Sequence, residues 1–326
     1  MTVTRLLLQS ARLSIFKAGA NTSIDVKAWI ANQGYYIDED LKKGEFTLRC
    51  SAPADLSRAL ANDLNRMAIA AFESAAGVRT DQTLPRSMAW GAIRAYYASF
   101  FAAHAFMRLY GISCSQLDHE HVNKIFQSAQ MFGKTGGLTS VETGFYSIKI
   151  DQHFSTITFQ KLKDSHKDTW AELLATIENL EAKIPNATAI SMHKIEASAL
   201  LTSLREGITG ASSVKGNWLS TMRNSINYRH THGVWFPYSV KAGGGDILDA
   251  ASRNWLNTPS TQGRTQHTAE LENFFEVAVM LVAVVRELIT AACDLSDSLD
   301  PSMKNGCLKL LNEVKIVSRN AREQAA

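Results

Sequence analysis

The segment from Met222 to Gly233 gathers side chains able to hold an anion and move a proton beside it. If it is helical, Arg223, Asn227 and His230 stand at i, i+4 and i+7 on one face. A guanidinium offers a two-pronged fork to phosphate oxygens. An imidazole titrates near neutrality and can take a proton from a ribose 2′-hydroxyl. Arg223 and His230 are therefore the candidate catalytic residues, with Asn224, Asn227, Arg229 and His232 as supporting or substrate-binding groups. His232 is also an alternative to His230 as the working histidine. A solvated polar face near a helix end, where the macrodipole favours Arg and His, accounts for the same residues.

The charge pattern bears on that choice. The chain has 326 residues, 34 Lys+Arg against 31 Asp+Glu, and a net charge of +3. That average excludes a broadly basic coat for nucleic acid. Between Glu206 and Asp246, however, there are 39 residues without one acid, and they carry Lys215, Arg223, Arg229 and Lys241. The segment is +4 and the remainder −1, so the cationic charge sits where the Arg/His face sits.

The elements that would position this face read as mainly α. A composition 45% hydrophobic and 20% charged is that of a globular chain long enough for about two domains. Leu56, Leu60, Leu64, Met67 and Ala71 recur at helical period after Pro53, with Asp55 or Ser57 at the start and Gly77 as the stop. From about Arg86 to Tyr110, Ile93, Tyr97, Phe100, His104 and Met107 make a stripe that Tyr96, Phe101 and Phe106 widen. A helix apolar over most of its circumference is a central one. Its His104 reads as a core histidine bonded to backbone or to a tyrosine. Further helices are expected at His119–Met131, Asp168–Lys183, Ser191–Glu206, Trp218–His230, His267–Cys293 and Met303–Ala321.

Residues 1–52 read as an N-terminal extension with short strands at Tyr35–Ile37 and Phe46–Leu48. Residues 53–295 read as the helical domain, interrupted by a loop-rich insertion at about 133–190, and 296–326 as a C-terminal helix. The apolar runs Ala95–Met107 and Val277–Val285 are too short to span a bilayer, which needs about 20 residues. Four scattered cysteines, Cys50, Cys114, Cys293 and Cys307, fit a reducing compartment, so a cytoplasmic protein with no membrane association is expected. Arg5, Arg12 and Lys17, with no acid before Asp25, give the N-terminus a faint transit-peptide character.

Other signals are weak. Gly133-Lys134-Thr135 lacks the glycine a phosphate loop needs five residues earlier, where Ser128 stands. Asp118-His119-Glu120-His121 lacks the i, i+4 histidines of a zinc-binding helix and reads as a cap. No metal and no cofactor is expected.

Two stretches together resemble the HEPN family. The aromatic helix from Trp90 to His104 is similar to the second helix of HEPN domains. Arg223-Asn224 followed by His230 is similar to their R-x(4–6)-H signature. With the flanking helices, the resemblance covers about half the chain. It implies a HEPN-like helical bundle that dimerises and brings two Arg/His pairs together, as in metal-independent ribonucleases of toxin–antitoxin or antiviral systems. Arg223 would then stabilise charge on the phosphorane, His230 would act as general acid and base, and Asn224 would orient the pair. RNA, a second copy of the chain and a cognate antitoxin or defence-system protein would be the partners. A HEPN module that binds a nucleotide, RNA or a protein without cutting is the alternative, and a purely structural helical protein is a third.

Overall fold

The computed structural model describes residues 2–17, 24–78, 87–210, 216–229, 231–237, 244–259 and 270–325. In chain order the helices are α1 (Val3–Leu7), α2 (Val26–Ala31), α3 (Pro53–Ala76), α4 (Ala89–Leu109), α5 (His119–Met131) and α6 (Lys167–Lys183). They continue as α7 (Ser191–Thr209), α8 (Trp218–Arg229), α9 (Gly244–Asn254), α10 (Glu270–Asp294), α11 (Pro301–Asn305) and α12 (Cys307–Ala325). The strands are β1 (Tyr35–Tyr36), β2 (Glu45–Cys50), β3 (Ile112–Leu117), β4 (Gly144–Ile150) and β5 (Thr156–Lys161). The described chain is mainly helical, with one antiparallel sheet ordered β1-β2-β5-β4-β3.

Hydrophobic period sets the long helices. In α3, Leu56, Leu60, Leu64 and Ala71 are buried as a stripe. Neither Asp55 nor Ser57 caps it. Ala52 precedes it, and Pro53 opens it, since a proline at the first helical position gives up no needed N–H. The central helix is α4, which packs against α3, α10, α6, α8 and β3. Fifteen of its positions are buried, many of them alanine, and small side chains let neighbouring helices approach closely. Gly111 ends α4 with φ of +81° and turns the chain into β3. A side chain there would meet the Ile150 carbonyl oxygen at 2.8 Å.

The first part of the insertion expected to be loop-rich, 133–165, instead carries two strands. Its β4–β5 hairpin lies between β3 on one side and β2 of the N-terminal extension on the other. Asp151 closes the hairpin, its carboxylate accepting from the amides of Ser155 and Thr156. Ser and Thr at sheet positions made this stretch look polar, but Tyr146, Ile148, Ile157 and Phe159 fill the buried face. Extension and insertion thus share one sheet. Further elements were not expected: α1 and α2 in the extension, β3, and α9. The C-terminal helix is two helices, α11 and α12. No described helix is long and apolar enough to cross a membrane.

A buried ionic network ties α4 to α3. Arg108, 1% exposed, faces Asp63, 2% exposed, at 3.6 Å. Its Nη1 donates to the His104 carbonyl and to His104 Nδ1 at 3.2 Å. Arginine has no acceptor, so His104 Nδ1 accepts and the ring carries its proton on Nε2. Burial, then the Arg108 cation and His166, hold His104 well below its ordinary titration range. The expected core histidine is confirmed, with an arginine as the side-chain partner. Removing one member of such a pair strands the other charge. Asp63→Ala should therefore cost about 3–5 kcal/mol in urea unfolding. A loss below about 1 kcal/mol would show that Arg108 finds water or another acceptor.

Candidate functional site

Helix α8 turns Trp218, Leu219, Met222 and Ile226 into the core. That packing aims Arg223 at α4. Its guanidinium carbon lies 5.1 Å from the centre of the Tyr96 ring. Among the described residues no carboxylate is within ion-pair range, and its buried Nε has no hydrogen-bond partner. The cation rests against a π-face, an attractive contact that leaves its Nε–H unpaired among the described residues.

The residue brought to this cation is His166, which the sequence reading did not single out. Tyr96 Oη is 2.9 Å from His166 Nδ1, and Trp170 Nε1 donates to the same hydroxyl at 3.4 Å. Phe100 packs 4.7 Å from the imidazole, centre to centre. The backbone at His166 is fixed by the start of α6. Asp164 Oδ1 accepts from the amides of His166 and Lys167, while Asp168 Oδ2 accepts from those of Lys163 and Asp164. These reciprocal side-chain bonds satisfy amides at a helix start.

The electrostatics favour neutral, usable groups. Burial pushes the Tyr96 phenol up, against the opposing pull of Trp170, Ser220 and Arg223. It therefore stays protonated at neutral pH. Burial, followed by the Arg223 cation, pushes His166 below its usual value, with Asp164 opposing. Half-buried and uncharged at neutral pH, this imidazole is able to accept a proton. A cation, a neutral imidazole and a phenol from α8, α6 and α4 meet at one place.

The other expected residues scatter. His230 lies outside the described residues, and α8 ends at Arg229, so its place on the Arg223 face is not defined. Asn224 and Arg229 are exposed and Asn227 is half-buried; none has a side-chain hydrogen bond or ion pair among the described residues. His232 has φ of +67° and sits 3.2 Å from Ser225 Oγ through Nε2. Its Nδ1 is 3.9 Å from Glu270 of α10. Ser225 follows Arg223 by two residues, about 200° around a helix, so His232 is drawn to the opposite face of α8. The linear absence of acids there does not hold in space, because Glu270 reaches it.

Other sequence signals resolve simply. Asp118 and His121 form a capping box at α5, His121 Nδ1 facing the Asp118 amide at 3.2 Å. All four cysteines are free. No cluster of three His, Cys, Asp or Glu side chains suited to a metal ion occurs among the described residues. Comparisons with family models, curated proteins and solved structures find no match to this chain.

The coupling of His166 to Arg223 is measurable by NMR titration of the imidazole. Native His166 should titrate below about 6.5, the ordinary histidine value. Arg223→Gln removes the cation that disfavours protonation, so the midpoint should rise. An unchanged midpoint would separate the two groups.

Proposed function

We propose that the chain is a metal-independent endoribonuclease of HEPN type, acting in bacterial defence or growth control. The observation that carries the reading is the Arg223 guanidinium, which has no carboxylate partner among the described residues and, like the neutral His166 imidazole, meets Tyr96. A half-buried cation without a counter-charge favours an anionic ligand, and a neutral imidazole next to it suits proton removal at the bound group.

In this reading Arg223 binds the scissile phosphate and offsets the charge that builds on it. His166 takes the proton from the 2′-hydroxyl, and the 2′-oxygen forms its bond to phosphorus as the bond to the 5′-oxygen breaks. His230, the histidine of the HEPN-like signature, supplies the proton to the departing oxygen. The products are a 2′,3′-cyclic phosphate and a 5′-hydroxyl. Tyr96, whose hydroxyl accepts from Trp170, holds the His166 ring, and Phe100 limits its motion. Arg223 and His166 come from one chain, so a homodimer would add a second copy of the site.

The test is cleavage of a single-stranded RNA by purified protein. Arg223→Ala and His166→Gln should each lower the rate at least a hundredfold, the usual range for lost general base or charge stabilisation, and EDTA should leave it unchanged. His230→Ala should lower it as well, while His232→Ala, on the opposite face of α8, should not. Full activity in both Arg223→Ala and His166→Gln would overturn the site. Binding of RNA with no cleavage would favour the non-catalytic module.

A further inference from the structure

One face of α4 remains uncovered although the helix is central. Trp90 is 49% exposed, Tyr97 is 37% exposed, and Arg94 is exposed between them. Ile93, Phe100 and Phe101 are only partly buried. At 100° per residue, Trp90, Arg94, Tyr97 and Phe101 fall within about 60° of one another. They form a single stripe of aromatic rings with a cation in it. Tyr96 and Phe100 lie on one flank of this stripe, and that flank carries Arg223 and His166.

The rings are held in place. Trp90 packs edge-on to Trp235 at 5.5 Å, and Trp235 Nε1 donates to the Ile226 carbonyl of α8. Tyr97 meets Tyr96 edge-on at 5.4 Å and Phe101 at 6.2 Å. Arg94 Nη1 donates to the Gly77 carbonyl, which fixes its stem.

Charge indicates what covers the stripe. Neither α4 nor α8 contains an acidic residue. At the flank, Asp164 and Asp168 turn their carboxylates onto backbone amides. Lys163 and Lys167 stand exposed and without ion pairs among the described residues. An apolar helix would leave these cations unmatched. A strand with flat bases and a phosphate backbone satisfies both features, because bases stack on aromatic faces while cations follow the backbone.

We propose that the Trp90–Tyr97 stripe is a stacking platform for bases of single-stranded RNA, which it leads to the Arg223–His166 site. Trp90 and Tyr97 are seven residues apart, about 10 Å along the helix, so each ring has room for its own base. The proposal rests on the ribonuclease reading for the identity of the strand, and it names the substrate class as unpaired RNA. A duplex, whose bases face inward, gains nothing from the platform.

The test uses the full chain and a single-stranded oligonucleotide containing 2-aminopurine, whose fluorescence is quenched by stacking. Binding should quench it, and Trp90→Leu and Tyr97→Leu should each weaken affinity about tenfold while Trp90→Phe and Tyr97→Phe stay near native. A duplex of the same sequence, and an abasic oligonucleotide of the same length, should bind more weakly than the single strand. Equal affinity of the abasic strand, or native affinity in both leucine variants, would overturn the platform. So would leucine variants that turn a dimer into a monomer, by light scattering, without changing RNA affinity, because a second copy would then own the stripe. The two ideas fail separately. Native quenching with no cleavage leaves the platform and removes the nuclease. Cleavage lost in Arg223→Ala, together with native RNA affinity in both leucine variants, does the reverse.

Discussion

The site depends on a cation held without a counter-charge. Arg223 lies against the Tyr96 ring, and its buried Nε is unpartnered among the described residues. Leaving a charged group half out of water with an unpaired donor is costly. The contact with the π-face offsets part of that cost, and a bound anion would offset more. Burial, and after it this same charge, hold the adjacent imidazole below its usual titration range. The cation therefore offers an attraction for phosphate and helps to keep a base beside it neutral.

The fold maintains this arrangement from several directions. The Asp63–Arg108–His104 network locks the far half of α4, while α8 and the start of α6 meet its near half. Arg108, within α4, and Arg223, which faces it from α8, differ in a telling way. Arg108 is fully buried and is matched by Asp63, as a charge in the core must be. Arg223 is only partly buried and unmatched, as suits a group that meets its counter-ion from outside.

Much of the helical frame was legible because helical period is a strong signal. The expected His119–Met131 helix has the same bounds in the structure, and α4 is the central helix as expected, although Tyr97 of its expected stripe is exposed. The β4–β5 hairpin was harder to read, because Ser147, Thr156 and Thr158 give strand positions the composition of a loop. Its pairing with β2, about a hundred residues away in sequence, has no local trace. Arg223 was found because its residue type and acid-free surroundings are visible along the chain. His166 was missed because its partners, Tyr96 and Arg223, are remote in sequence. Its only local signal is the pair of flanking acids, Asp164 and Asp168, which pin the turn that presents it.

The most direct measurement follows both groups at once while an uncleavable ligand binds. A single-stranded RNA with 2′-O-methyl sugars keeps the phosphates and bases but offers no 2′-hydroxyl. Titrated into the protein, it should shift the NMR signals of the His166 ring and the Arg223 Nε–H together, with one saturation curve. The His166 titration midpoint should also rise, because the bound phosphate offsets the cation that had depressed it. Saturable binding that leaves both signals unmoved would place the anion elsewhere and contradict a phosphate site at Arg223 and His166.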